Sequence, residues 1–254
     1  MKDCIVRAGD HGRTHYLDAG SGPIVILMHS NGNSAYEYED MLPILSANHR
    51  VLAVDYPGHG DSEQLRRHYS VGDYADFIIA FMDALHISTA SILGSSIGGA
   101  VAVDLGVRYS HRIEKLFVVE SPIRTPEQWT ERWLATEKGY GTVVQSMDQV
   151  RPRLRNLTDA IFERWNIDRS KAGSWAMMSV MWALREYDVL ENIPKIKAST
   201  MAIYGAKSPH PHGLSTFEKL LPDAQRAQMA DCGHFPMLDD PAELSRLIAA
   251  FIKG

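Results

Sequence analysis

Cysteine is nearly missing from this chain of 254 residues. Cys4 and Cys232 are the two it has, too few for a disulfide framework, so a reducing compartment is the simpler expectation. Basic charge is not in excess either. The 26 Lys and Arg against 31 Asp and Glu leave a formal net charge of −5, which gives no electrostatic footing for nucleic acid or an anionic membrane surface. Long apolar runs are absent: the longest near the start is Ile24–Met28, against the ~20 residues of a membrane helix. Met1 to Arg7 hold no apolar core of a secretory signal, so the expected location is cytoplasmic. What is present is an ordinary globular composition, 45% hydrophobic and 22% charged, which excludes disorder for most of the chain. The length falls between one and two domains at ~150 residues each. Five tryptophans occur, all between Trp129 and Trp182.

Short apolar runs alternate with helical patterns in the first half. Ile24–Met28, Arg50–Val54, Ala90–Leu93 and Leu116–Val119 read as strands buried on both faces. Between them, Val71, Tyr74, Ala75, Ile78, Phe81, Met82 and Leu85 recur at helical spacing, and Gly99–Tyr109 is a small-residue helix suited to close packing on a sheet. Thr200–Tyr204 and Arg226–Ala230 give two further strands, and Pro241–Ile252 a closing amphipathic helix. Such alternation predicts a mostly parallel, doubly wound α/β sheet with helices on both faces. From Pro122 to Ile193 the strand signal disappears. Gln128–Thr136, Thr158–Trp165 and Ser174–Tyr187 read instead as helices of an inserted subdomain.

Chemistry concentrates at strand ends. Gly94-Ser95-Ser96-Ile97-Gly98 follows one buried strand and opens a helix, the setting of a nucleophile elbow with Ser96 at its apex. His29-Ser30-Asn31-Gly32 follows Ile24–Met28, Asp55-Tyr56-Pro57-Gly58-His59-Gly60-Asp61-Ser62 follows Arg50–Val54, and Gly233-His234 follows the last strand. Together, in this order, these motifs resemble the α/β-hydrolase superfamily from about Tyr16 to the end, with the inserted helices as the variable part. The resemblance implies a core of residues 1–121 and 194–254 and a helical cap of 122–193. It makes Ser96 the nucleophile and His234 the general base, and gives the oxyanion hole to the backbone N–H groups of Asn31 and Ile97. Ser30 departs from the glycine usual at its position. Asp55 and Asp61 are expected to organise loops, and His29 to be structural.

The acid departs from the common pattern. The loop after Thr200–Tyr204, where relatives carry the carboxylate, has no Asp or Glu from Met201 through Phe217, and Ser208 stands near the expected place. A triad histidine still needs an acceptor to fix its tautomer. Glu120, ending the run Leu116–Val119, is assigned that role; a carboxylate closing an apolar strand is costly without a partner. Zearalenone-type lactonases and certain haloalkane dehalogenases carry their acid at this strand end.

The implied function is hydrolysis of a carboxylic ester or lactone through an acyl-enzyme, on a small apolar or aromatic molecule, with no metal or organic cofactor. Trp175, Met178, Met181 and Trp182 share one helical face and are the expected substrate-binding residues. His210-Pro211-His212 reads as a surface loop that lacks further zinc ligands. Arg151-Pro152-Arg153-Leu154-Arg155 reads as a solvated basic face, with attraction of an acidic substrate group as the weaker reading. Rival readings are a carbon–carbon bond hydrolase of a diketone ring-cleavage product, a cofactor-free dioxygenase, and a non-catalytic or slowly hydrolysing receptor. Dioxygenase relatives often carry a histidine beside the nucleophile, where this chain has Ile97. The sequence sets no oligomeric state.

Overall fold

The computed structural model describes residues 1–254. Eight strands form one sheet: β1 (Lys2–Arg7), β2 (Arg13–Gly20), β3 (Ile24–Met28), β4 (Arg50–Val54), β5 (Ala90–Ser95), β6 (Ile113–Val119), β7 (Thr200–Gly205) and β8 (Gln225–Met229). Their spatial order is β1-β2-β4-β3-β5-β6-β7-β8. β1 and β2 add as an antiparallel edge, and every pair from β4 to β8 is parallel. The expected mostly parallel, doubly wound sheet is the one observed.

The apolar strands work because successive side chains face opposite layers. Ile26, Met28, Leu52, Val54, Ile92 and Val118 enter one buried cluster. Their neighbours Val25, Leu27, Val51, Ala53, Leu93 and Val119 enter the other. Helix α1 (Leu42–Leu45) is a single turn. On the first layer, α2 (Val71–Ala84) starts at a Ser70–Asp73 capping box and buries Tyr74, Phe77, Ile78 and Phe81. Beside it lies α3 (Ile97–Arg108), buried over most of its length. In chain order follow α4 (Pro126–Gly141), α5 (Met147–Val150), α6 (Asp159–Glu186), α7 (Val189–Asn192), α8 (Gly213–Leu220), α9 (Pro236–Asp239) and α10 (Pro241–Lys253). The last of these covers the second layer, where Phe251 meets Phe117 edge-on at 5.3 Å.

Between β6 and β7 the regular structure is all helical, with α4 packed on α6. α6 is broken at Gly173 (φ 69°, ψ 168°), a backbone region that glycine enters without steric cost. No helix is long and apolar enough to cross a membrane. The parallel register brings Met28, Val54 and Gly94 level with one another, and Ser95 level with Val119. The loops that follow all open on the carboxyl edge, where α/β sheets bind ligands.

Candidate active site

Ser96 connects β5 to α3 with φ 56° and ψ −112°, a strained conformation for a residue with a Cβ. The turn closes only because its neighbours lack side chains. A Cβ on Gly94 would lie 1.8 Å from the Gly98 carbonyl oxygen, and one on Gly98 would lie 2.6 Å from that of Met28. Of the three non-glycine residues at positive φ, a second is Glu120 (φ 50°), directly after β6. Strain therefore falls on two of the residues assigned to the chemistry.

Glu120 is wholly shielded from solvent, 0% exposed, and its oxygens are fully engaged. Oε1 accepts from the Gly205 N–H at 2.6 Å. Oε2 accepts from the Ser208 hydroxyl at 2.5 Å and from His234 Nδ1 at 3.2 Å. The contact with Glu120 makes Nδ1 the protonated nitrogen by hydrogen-bond inference, which leaves Nε2 free to accept. Nε2 makes no hydrogen bond within the protein. Ser96 and His234 line the same cavity without a direct hydrogen bond, a contact often open in unliganded enzymes. Ser208 thus stands where a carboxylate is usual and donates to the carboxylate that comes from β6. Its oxygen also accepts the His210 N–H at 2.9 Å.

The loop after β3 is fixed from below. His29 Nδ1 donates to the Ser30 carbonyl (2.8 Å) while Nε2 accepts the Tyr56 N–H (3.1 Å); burial holds this imidazole below its ordinary pKa, neutral and structural. The unusual Ser30 has its own partner: its hydroxyl and N–H both donate to buried Glu37, which Asn33 also reaches at 2.7 Å. Asn31 sends its side-chain amide to the Met177 carbonyl at 3.0 Å, tying the loop to α6. The N–H groups of Asn31 and Ile97 have no partner in the protein. After β4, Asp55 accepts the N–H of Ala35 (2.6 Å) and of Asp61 (2.8 Å) and pairs with His15, an arrangement that organises loops.

The cavity beside Ser96 and His234 measures about 400 Å³, and its walls differ from the sequence reading. Met181 reaches it; Trp175, Met178 and Trp182 do not. Trp175 is 58% and Trp182 40% exposed, and Trp182 pairs with Trp133 at 4.5 Å. The helix turns a different stripe inward, Met177, Val180, Met181 and Leu184, because an aromatic-rich face at helical spacing does not say which way it points. The expected apolar lining is corrected as well. Arg124, Arg132, Arg153 and Lys207 face the cavity, so the basic run around residue 153 is partly a site wall.

His210, expected in a surface loop, instead lines the cavity. Its ring meets that of His234 edge-on at 5.1 Å, and burial, then the charges of His234, Arg124 and Arg132, push its pKa down to about 2. The only sequence signal was its place in the loop after β7. Glu120, His210 and His234 each offer a ligand atom within 4.8 Å of the others, as do His15, Asp55 and Asp61. In the first set, His234 Nδ1 and both Glu120 oxygens are committed to hydrogen bonds, and two guanidinium groups stand close by. That environment favours anions over a metal cation.

A model of the alpha/beta hydrolase family matches residues 25–247. The chain is 26% identical over 260 residues to 2-hydroxy-6-oxo-6-phenylhexa-2,4-dienoate hydrolase of Comamonas testosteroni, covering 94% of this chain and 91% of that protein. It is 27% identical over 244 residues to pimeloyl-[acyl-carrier protein] methyl ester esterase of Neisseria meningitidis serogroup B, covering 91% and 93%. In fold it matches the enol-lactonase from Burkholderia xenovorans LB400 with a TM-score of 0.82 over 100% of both chains, at 23% identity.

Proposed function

The chain belongs to the alpha/beta hydrolase family, and from that premise we propose that it is a serine hydrolase acting on a carboxylic ester or lactone of a small molecule. The observation that carries this reading is the buried Glu120–His234 contact of 3.2 Å facing the same cavity as the strained Ser96. Residues 122–193 act as the cap that shapes the cavity, contributing Arg124, Arg132, Arg153 and Met181 to its wall.

The Ser96 Oγ–H passes its proton to His234 Nε2 as Oγ bonds the substrate carbonyl carbon. Glu120 accepts the Nδ1–H and offsets the charge of the imidazolium without taking the proton. The N–H groups of Asn31 and Ile97 receive the negative oxygen, and losing one such donor typically costs ~100–1,000-fold in rate. As the intermediate collapses, the imidazolium proton goes to the leaving oxygen and the carbon–oxygen bond breaks. Water then gives a proton to His234 and attacks the acyl carbon, releasing the acid and restoring Ser96.

A second reading keeps the triad and changes the leaving group to carbon. It is supported by the full-length similarity to the 2-hydroxy-6-oxo-6-phenylhexa-2,4-dienoate hydrolase of Comamonas testosteroni. A panel of acyl esters, lactones and vinylogous diketones, with Ser96→Ala as control, separates the two. Turnover of esters or lactones that disappears in Ser96→Ala is the expected result. Turnover of diketones alone favours the second reading, and turnover that survives in Ser96→Ala contradicts both.

A further inference from the structure

The chain is acidic overall, at −5, yet the wall of the catalytic cavity contains Arg124, Arg132, Arg153 and Lys207 and no carboxylate. Lys207 is paired with Asp231 at 3.3 Å. The three arginines form no ion pair, and none of their guanidinium N–H groups donates a hydrogen bond within the protein. Arg124 is half-buried just beyond β6, its guanidinium held 4.7 Å over the Trp129 ring, which orients its plane. Burial, together with the charge of Arg132, holds its pKa below the ordinary arginine value, the mark of a cation lacking its counter-ion. Partly burying a guanidinium beside a like charge is unfavourable unless an anion joins them. A planar guanidinium, with donors in a fixed fork, is matched by a carboxylate or phosphate.

We propose that Arg124 and Arg132, with Arg153 beside them, form an anion subsite, so that the substrate carries a carboxylate or phosphate group in addition to the bond cut at Ser96. This rests on the serine-hydrolase reading and names its substrate class. The charged group sits against Arg124 and Arg132 and the scissile carbonyl faces Ser96, so the acidic group positions the substrate. Neutral esters of the same shape lose that anchor. His210, uncharged beside His234, leaves the guanidinium groups as the positive centres of this wall.

Calorimetric binding to Ser96→Ala tests this without turnover. The ligands are monomethyl glutarate and methyl 3-phosphonopropanoate, against neutral dimethyl glutarate. At about 20 mM NaCl at least one acidic ligand is expected to bind about tenfold or more tighter than the diester, an advantage that shrinks several-fold at about 500 mM. Whichever acid binds tighter identifies the preferred group. Adding Arg124→Gln or the exposed Arg132→Gln should bring the ratio near one, whereas Arg151→Gln, outside the cavity, should leave it intact. Acidic ligands that bind no tighter than the diester, or an equal loss in Arg151→Gln, overturn the proposal. Fluorophosphonate labelling of the wild type separates the two failures. Labelling without acid preference sinks the subsite alone, and acid preference without labelling sinks the hydrolase reading alone.

Discussion

Glu120 is held by three donors, the Gly205 N–H, the Ser208 hydroxyl and His234 Nδ1, and each has a separable role. Removing the hydroxyl with Ser208→Ala leaves one lone pair of a buried carboxylate unanswered, a loss of about 1–3 kcal/mol. We expect kcat to fall about tenfold with little change in KM, measured on whichever ester is turned over. Gly94 tests packing at the elbow: with its Cβ 1.8 Å from the Gly98 carbonyl oxygen, Gly94→Ala should lose more than about 3 kcal/mol in a denaturant melt. Glu37 tests electrostatics. Burial raises its pKa from 4.5 to about 7, so the folded state holds a proton that the unfolded state has released. Its contribution to stability is present below about 4.5 and is lost as pH rises toward about 7. Melting temperatures across that range should fall with pH, and less steeply in Glu37→Gln; equal slopes would contradict the assignment.

Among the elements, the loop from β7 to α8 was legible only in part. That Ser208 replaces a carboxylate was readable, because an absence of Asp and Glu is a sequence fact. The contact of Glu120 with His234 was foreshadowed by a charged residue closing an apolar strand. His210 was not, since nothing local says that the loop folds its imidazole onto His234. The parallel strands were legible because burial on both faces leaves continuous apolar runs, and β3 and β4 match their predicted bounds. β1 and β2 carry no such run: β1 is largely exposed along an edge, and β2 interleaves Thr14, His15 and Asp18 with its apolar residues. Among the helices between β6 and β7, the helix expected to end at Trp165 runs on to a break at Gly173, and the facing was not legible, for rotation about a helix axis is decided by what it packs against. In Glu120→Gln, adding Ser208→Asp returns a carboxylate to the loop after β7, and about tenfold or more of the lost kcat should be recovered.

For the whole molecule, two apolar layers fix the sheet, and the sheet aligns its carboxyl edge, so that residues 29–33, 96, 120 and 234 converge although they are distant in sequence. Charge is distributed in the opposite sense to the total: an acidic chain with a cationic cavity. Long-range attraction of an anionic substrate should therefore weaken with added salt at the cavity while global stability changes little.

On the proposed reading Glu120, at the end of β6, serves His234 in activating Ser96. The rate of covalent labelling by a fluorophosphonate measures that activation without knowledge of the substrate. We expect the label on Ser96 by peptide mass spectrometry, with a rate about 1,000-fold or more slower in Glu120→Gln and unchanged in Glu218→Gln, whose carboxylate is exposed beside Arg226. Wild type and Glu120→Gln labelling at the same rate would contradict the account.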